Sequence, residues 1–274
     1  MSNITASEVN KLRKATGAGM MDCKNALVEA NGDFELAIEN LRKKGQKVAA
    51  KRADRDSSEG AVIAMVNKKQ SKGVIISLNC ETDFVAKNES FVELANSICK
   101  IALNCSTIDE LSSSKYESMT VGEKLIEQTG VIGEKLEIGS FEHLSSEYVG
   151  YYIHAGNKIA TIVGLSNKFE NAFDVAKNVA MQVAAMNPIA LNENSVSSEV
   201  IEKEIEIAKE QLRAEGKPES ILDNIAKGKL KKFFKENTLV NQSYIKDNKS
   251  SVQNYVQSVN KDCSITGFKR AALV

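Results

Sequence analysis

Apolar residues recur at helical spacing from the start of the chain. Ile4, Val9 and Leu12, with Arg13 beside them, predict a short amphipathic helix opened by Thr5 or Ser7, with Glu8 suited to its first turn. Thr16-Gly17-Ala18-Gly19 stops it. A second helix is predicted from about Met21 to Ala30, burying Cys23, Ala26 and Leu27 and ending at Asn31-Gly32. Asp33 then caps a third, Phe34 to Lys43, whose Leu36, Ala37, Ile38 and Leu41 form an apolar face. Three short helices in about 45 residues predict a small helical domain.

After residue 60 the period changes. Ala61-Val62-Ile63-Ala64-Met65-Val66 and Val74-Ile75-Ile76-Ser77-Leu78-Asn79 flank a polar turn from Lys68 to Gly73, which predicts a β-hairpin. A helix capped by Asn88 or Ser90 follows, with Phe91, Leu94, Ala95, Ile98, Ile101 and Ala102 at helical spacing. The same order returns further on: Tyr148 to His154, a turn at Gly156-Asn157, Lys158 to Gly164, then a helix through Ala172, Val175, Ala176, Val179, Ala180, Val183 and Ala184. Two hairpin-plus-helix units about 90 residues apart indicate a repeated architecture. Between them Val121 to Thr129 reads as a helix, and Leu136 to Glu142 alternates like a strand.

Ile201, Ile205, Ala208 and Leu212, then Leu222, Ile225, Ala226, Leu230 and Phe233, lie at spacings of three and four on either side of Gly216-Lys217-Pro218. That pattern predicts an antiparallel helical hairpin, whose two stripes need each other or a partner. A short helix, Val252 to Val259, and a strand, Ser264 to Lys269, close the chain.

The composition is that of an ordinary folded protein: 42% hydrophobic, 26% charged, and only 2 Pro in 274 residues. Lys plus Arg (36) balances Asp plus Glu (36), so electrostatic function must lie in local patches. One such patch is the basic run Arg42 to Arg55, which reads either as a linker or as an RNA-phosphate surface. Cys23, Cys80, Cys99, Cys105 and Cys263 are odd in number and scattered, which fits neither a disulfide framework nor a zinc site. With no continuous apolar segment for export or membrane insertion, a cytoplasmic protein is expected. His143 and His154 are the only histidines, and Gly17-Ala18-Gly19 follows a helix rather than a strand. No cofactor, metal site or covalent catalysis is expected.

The informative segment is Cys80-Glu81-Thr82-Asp83-Phe84-Val85-Ala86-Lys87-Asn88, which sets a large aromatic beside a carboxylate between a strand and a helix. Either Phe84 and Val85 staple the following helix to the sheet while Asp83 caps a turn, or Phe84 is an interface anchor with Asp83 as its charged companion.

This run, together with Leu12-Arg13-Lys14-Ala15-Thr16-Gly17-Ala18-Gly19-Met20-Met21-Asp22-Cys23-Lys24-Asn25-Ala26-Leu27, resembles the two signatures of the bacterial elongation factor Ts family. The resemblance implies an α+β chain. Its expected parts are a UBA-like three-helix domain with a basic linker (1–55), a core of two similar antiparallel sheet-plus-helix subdomains (56–142, then 143–198 with 237–274), and an inserted coiled-coil hairpin (199–236). It implies a guanine-nucleotide exchange factor acting on elongation factor Tu, in which Thr82, Asp83, Phe84 and Val85 dislodge the partner's Mg²⁺. Arg13, Met20 and Met21 are further implied contacts, the methionines having core packing as their alternative. Leu136 and His154 are carried over from the second half of the core, and the helical hairpin serves partner binding or self-association. Two departures stand out: Ala155 follows His154 where the family pattern has glycine, and the chain stops at Val274 soon after Ile265-Thr266-Gly267-Phe268. An adaptor built on residues 1–55 and an RNA-binding protein are the competing functions.

Overall fold

Thr5 opens the first helix by a reciprocal cap. Its backbone N–H donates to Glu8 Oε2 at 2.8 Å, and Glu8 N–H donates to Thr5 Oγ1 at 3.3 Å. In the computed structural model, which describes residues 4–273, this helix is α1 (Ala6–Thr16), and Gly17 ends it at φ 72°, a left-handed conformation that suits glycine. Ile4 lies before the helix rather than in it, at the staple position, and shares a core with Val9. α2 (Met20–Glu29) buries Cys23, Ala26 and Leu27, and α3 (Phe34–Arg52) is capped by Asp33, whose carboxylate accepts from Leu36 N–H at 3.0 Å. Leu12, Cys23, Leu27 and Ala37 close this helical unit, while Leu36 stands on its surface.

β1 (Glu59–Val66) and β2 (Lys72–Cys80) form the first hairpin, with Val62 opposite Ser77. α4 (Asp83–Ala86) and α5 (Glu89–Ala102) follow, then α6 (Ile108–Ser113), a small ladder of β3 (Lys115–Tyr116) with β4 (Met119–Thr120), and α7 (Val121–Ile132). β5 (Glu137–Ser145) returns beside β2, giving the order β1-β2-β5. It carries the first sheet across the expected division at 142/143.

The second half repeats the plan. β6 (Tyr148–Ile153) and β7 (Ile159–Leu165) form a hairpin, and α8 (Ala172–Met186) covers it. Next come α9 (Ser198–Ala214), α10 (Glu219–Asn237), a small ladder of β8 (Ser243–Tyr244) with β9 (Asp247–Ser251), and α11 (Val252–Val259). β10 (Ile265–Ala272) then pairs with β7, giving β10-β7-β6. In both halves the late strand adds to the second strand of the hairpin. The shared topology carries the repeat further than the spacing alone.

The strands are apolar on consecutive residues because both faces are buried. Ala61 and Ile63 point into a core with Phe91, Leu94 and Ile98 of α5. Val62, Ala64 and Ile75 meet Val149, Ala160 and Ile162, which joins the two sheets. α9 and α10 pack as an antiparallel pair over Ala208, Leu212, Leu222 and Ala226, laced on the surface by Lys209–Asp223 and Arg213–Glu219.

The basic run expected as a linker is helical to Arg52. Its inner face is made by Gly45, Val48 and Ala49, and Gly45 lies against α7: a Cβ built on Gly130 would stand 2.5 Å from Gly45 Cα. The helical unit is thus fastened to the core by a glycine-on-glycine crossing, with Val131 of α7 also reaching its core. α7 itself depends on Thr120, whose N–H donates to Glu123 Oε2 at 2.7 Å and whose Oγ1 accepts from Glu123 N–H at 3.1 Å. Thr120→Ala should lower stability by about 1 kcal/mol, the usual worth of an N-cap, read as a reduced urea midpoint.

Candidate functional site

β2 ends at Cys80, and within two residues the chain enters a helical turn. Thr82 is extended (φ −125°, ψ 153°) and is the N-cap of α4, its Oγ1 accepting from Val85 N–H at 3.4 Å. Asn88 in turn caps α5, its side chain accepting from Ser90 N–H at 3.0 Å. The segment expected as a loop is therefore a capped turn leading directly into a helix. Thr82, rather than Asp83, provides the cap. Asp83 lies in the first turn and its carboxylate accepts from Lys87 Nζ at 2.6 Å. The Lys87 ammonium holds the Asp83 carboxyl below the usual carboxylate range, and Asp83 raises Lys87 in return.

Neighbouring residues of a helical turn point about 100° apart, so the turn splits its two apolar side chains. Val85 packs against the first core beside the buried Ala86. Phe84 is 83% exposed, the most exposed large hydrophobic side chain among the described residues. The staple reading holds for Val85 and fails for Phe84.

The base of the turn is densely bonded. Glu134, in the connection from α7 to β5, accepts from Glu81 N–H at 3.1 Å and Thr82 N–H at 3.0 Å through Oε2, and from Thr82 Oγ1 at 2.6 Å through Oε1. The Cys80 thiol donates to the Thr82 carbonyl at 3.2 Å, and burial pushes that thiol up to about 12, so it remains a donor at neutral pH. Glu81 accepts both Arg52 Nη1, at 2.7 and 2.8 Å, and Lys135 N–H at 2.7 Å. Burial pushes its carboxyl up, but the Lys135 N–H and the Arg52 guanidinium outweigh burial and hold it below the usual range. No local pattern announces Glu134 or Arg52, because their partners lie dozens of residues away.

The remaining expected site residues are dispersed. Met20 (59% exposed) and Met21 (62%) begin α2 and face solvent, which removes core packing as their role. Arg13 is exposed in the last turn of α1. His154 is exposed just past β6, with its Nδ1 3.0 Å from Tyr152 Oη, and it borders an apolar groove lined by Ile159, Met181, Ala184 and Ile245. Leu136 differs from expectation. It is 7% exposed and belongs to the first core, because it enters β5 directly beneath α7, where its N–H donates to Thr129 Oγ1 at 3.3 Å.

Of the seven basic residues from Arg42 to Arg55, three are engaged with carboxylates: Lys43 with Glu39, Lys44 with Asp22 and Arg52 with Glu81. All five cysteines are free and buried. Among the described residues no helix is long and apolar enough to cross a membrane, and no group of three or more His, Cys, Asp or Glu is placed to hold a metal ion.

The segment thus presents an exposed aromatic on a turn capped by Thr82 and bonded at its base by Glu134. Comparison with known proteins shows the family. The family described as Elongation factor TS matches residues 81–273. The chain is 65% identical over 273 residues to "Elongation factor Ts" of Christiangramia forsetii and 63% identical over 273 residues to that of Flavobacterium psychrophilum, covering 100% of both chains in each case. It is 50% identical over 270 residues to the Amoebophilus asiaticus protein, covering 97% of this chain and 98% of that one. The chain belongs to the elongation factor Ts family of translation elongation factors.

Proposed function

We propose that this chain is a guanine-nucleotide exchange factor for elongation factor Tu. Phe84 is the observation that carries the reading: an aromatic left 83% exposed by its own chain, on a turn capped by Thr82. In this reading Thr82, Asp83, Phe84 and Val85 enter the partner beside its Mg²⁺ and diphosphate. Mg²⁺ requires near-ideal octahedral geometry, so an intruding group that shifts one ligand weakens the metal, and with it the hold on GDP. The chain's own residues make or break no covalent bond. Because coupling between two ligands is reciprocal, GDP must weaken the factor's binding as much as the factor weakens GDP's, and GTP completes the cycle by mass action.

The three-helix unit, read as a UBA-like domain, supplies Arg13, Met20 and Met21 to the partner's nucleotide-binding domain. The exposed methionines suit that role, since the unbranched, polarizable Met side chain adapts its shape to an apolar surface. His154 and its apolar groove provide a second contact. The α9–α10 hairpin is read as the family's coiled coil, used for partner binding or self-association. Leu136 supports the core beneath the tip rather than touching the partner. The place of action is the cytoplasm, where translation occurs.

The direct test is the release of a fluorescent GDP from elongation factor Tu, followed by stopped flow while the full chain is titrated. The expected result is a rate that rises with concentration and saturates. A release rate that stays at its spontaneous value at every concentration overturns the proposal.

A further inference from the structure

We infer that Glu134 is the positioning residue of the tip: its carboxylate holds the Glu81-Thr82 backbone and fixes where Phe84 stands. This inference rests on the reading of Phe84 as the inserted element. Three donors converge on one side chain, Glu81 N–H, Thr82 N–H and Thr82 Oγ1, at 3.1, 3.0 and 2.6 Å. The remaining polar group of Thr82, its carbonyl, accepts from the Cys80 thiol and from Ala86 N–H, both at 3.2 Å. Thr82 is therefore bonded at its N–H, hydroxyl and carbonyl, and every residue of α4 inherits its direction from that cap.

The anchor itself is fixed. Glu134 follows Gly133, which ends α7 at φ 82° with its N–H donating to the Thr129 carbonyl at 2.9 Å. The next residue, Lys135, donates its N–H to Glu81 Oε1 at 2.7 Å. Glu81 also binds Arg52, the last residue of α3. One node thus joins the end of the helical unit, the end of β2, the end of α7 and the start of the tip. The offset between the tip and the surface bearing Met20 and Met21 is set there, and two contacts that must be made at once gain most from a fixed offset.

The three partners explain why a carboxylate suits this position. All three partners offer hydrogens, so an acceptor with two oxygens serves them, and a charged acceptor makes the stronger bonds. Glutamine keeps the shape: its carbonyl can take the two N–H groups while its amide donates to Thr82 Oγ1. Alanine leaves two N–H groups to water and frees the turn.

The test uses the full chain and the GDP-release assay. Glu134→Ala should lower the saturating release rate by about tenfold with a smaller change in the half-saturating concentration, and Glu134→Gln should recover most of that loss. In the Phe84→Ala background, Glu134→Ala should add little, since a tip without its anchor gains nothing from being aimed. Amide hydrogen exchange of the free chain should show faster exchange at residues 81–87 in Glu134→Ala, with the strands of both sheets unchanged. If the tip amides keep their protection, or if the losses from Glu134→Ala and Phe84→Ala multiply, Glu134 does not position the tip and the exchange function stands without it. If Phe84→Ala releases GDP as fast as the unsubstituted chain, the tip reading itself fails and this inference falls with it.

Discussion

A Phe84→Ala chain should fold as stably as the unsubstituted protein and lose about a hundredfold of its power to speed GDP release. The two halves of that expectation come from one number, the 83% exposure of the ring. A side chain that buries almost nothing in the free protein contributes almost nothing to its stability, so the urea midpoint should move by less than about 0.5 kcal/mol equivalent. Once docked, the same ring can lose nearly all its water. Burying a phenylalanine is worth about 1.5–3 kcal/mol, a central aromatic anchor about 2 or more, and each 1.4 kcal/mol is tenfold.

Where the loss falls distinguishes two mechanisms. If the ring is buried equally with and without GDP on the partner, its removal weakens both complexes and only the half-saturating concentration rises, because equal binding shifts no equilibrium. If burial is completed only as the nucleotide site opens, the saturating release rate falls instead. The wedge reading requires the second outcome. A saturating rate unchanged from the unsubstituted chain, with affinity alone reduced, would make Phe84 an ordinary contact and leave expulsion of Mg²⁺ to another element.

What could be read from the chain depended on how local each signal was. α1 was legible because Thr5, Glu8 and Gly17 carry its caps within a dozen residues, and α5 because Asn88 precedes an unbroken apolar stripe. Both hairpins were legible from their apolar runs, though not the reason for those runs, which is that the sheets bury each other's second face. The second half of α3 was not legible. Its packing face is Gly45, Val48 and Ala49, and two of those residues are small enough to go uncounted as apolar, yet their smallness is what lets α7 approach. The same limit applies to the site. Phe84 stood out as an aromatic in a polar segment, whereas the bonds that aim it come from Glu134 and Arg52, which only the tertiary fold brings to the turn.

Gly130→Leu should detach the three-helix unit from the core while leaving both sheets intact. A Cβ at Gly130 would stand 2.5 Å from Gly45 Cα and 3.3 Å from Gly45 N, both backbone atoms that cannot rotate away. The helices must separate, at a cost of about 3 kcal/mol, toward the upper end of the range for overpacking. Leucine is the better helix former by roughly 0.8 kcal/mol, so α7 itself should not weaken, and any loss belongs to the crossing. Gly228→Ala in α10 is the contrasting case: its Cβ would meet nothing within 4 Å, and the chain should gain about 1 kcal/mol. In the Gly130→Leu chain trypsin should cut faster at Lys51, Arg52 and Arg55, and urea unfolding should acquire an early phase ahead of an unchanged main transition. Separation also removes the register that Arg52 and Glu81 give the tip, so GDP release should become dependent on much higher factor concentrations. If the variant unfolds in one transition at the original midpoint, the crossing is not what fastens the unit. The Arg52–Glu81 pair and the chain connection would then have to hold it in place.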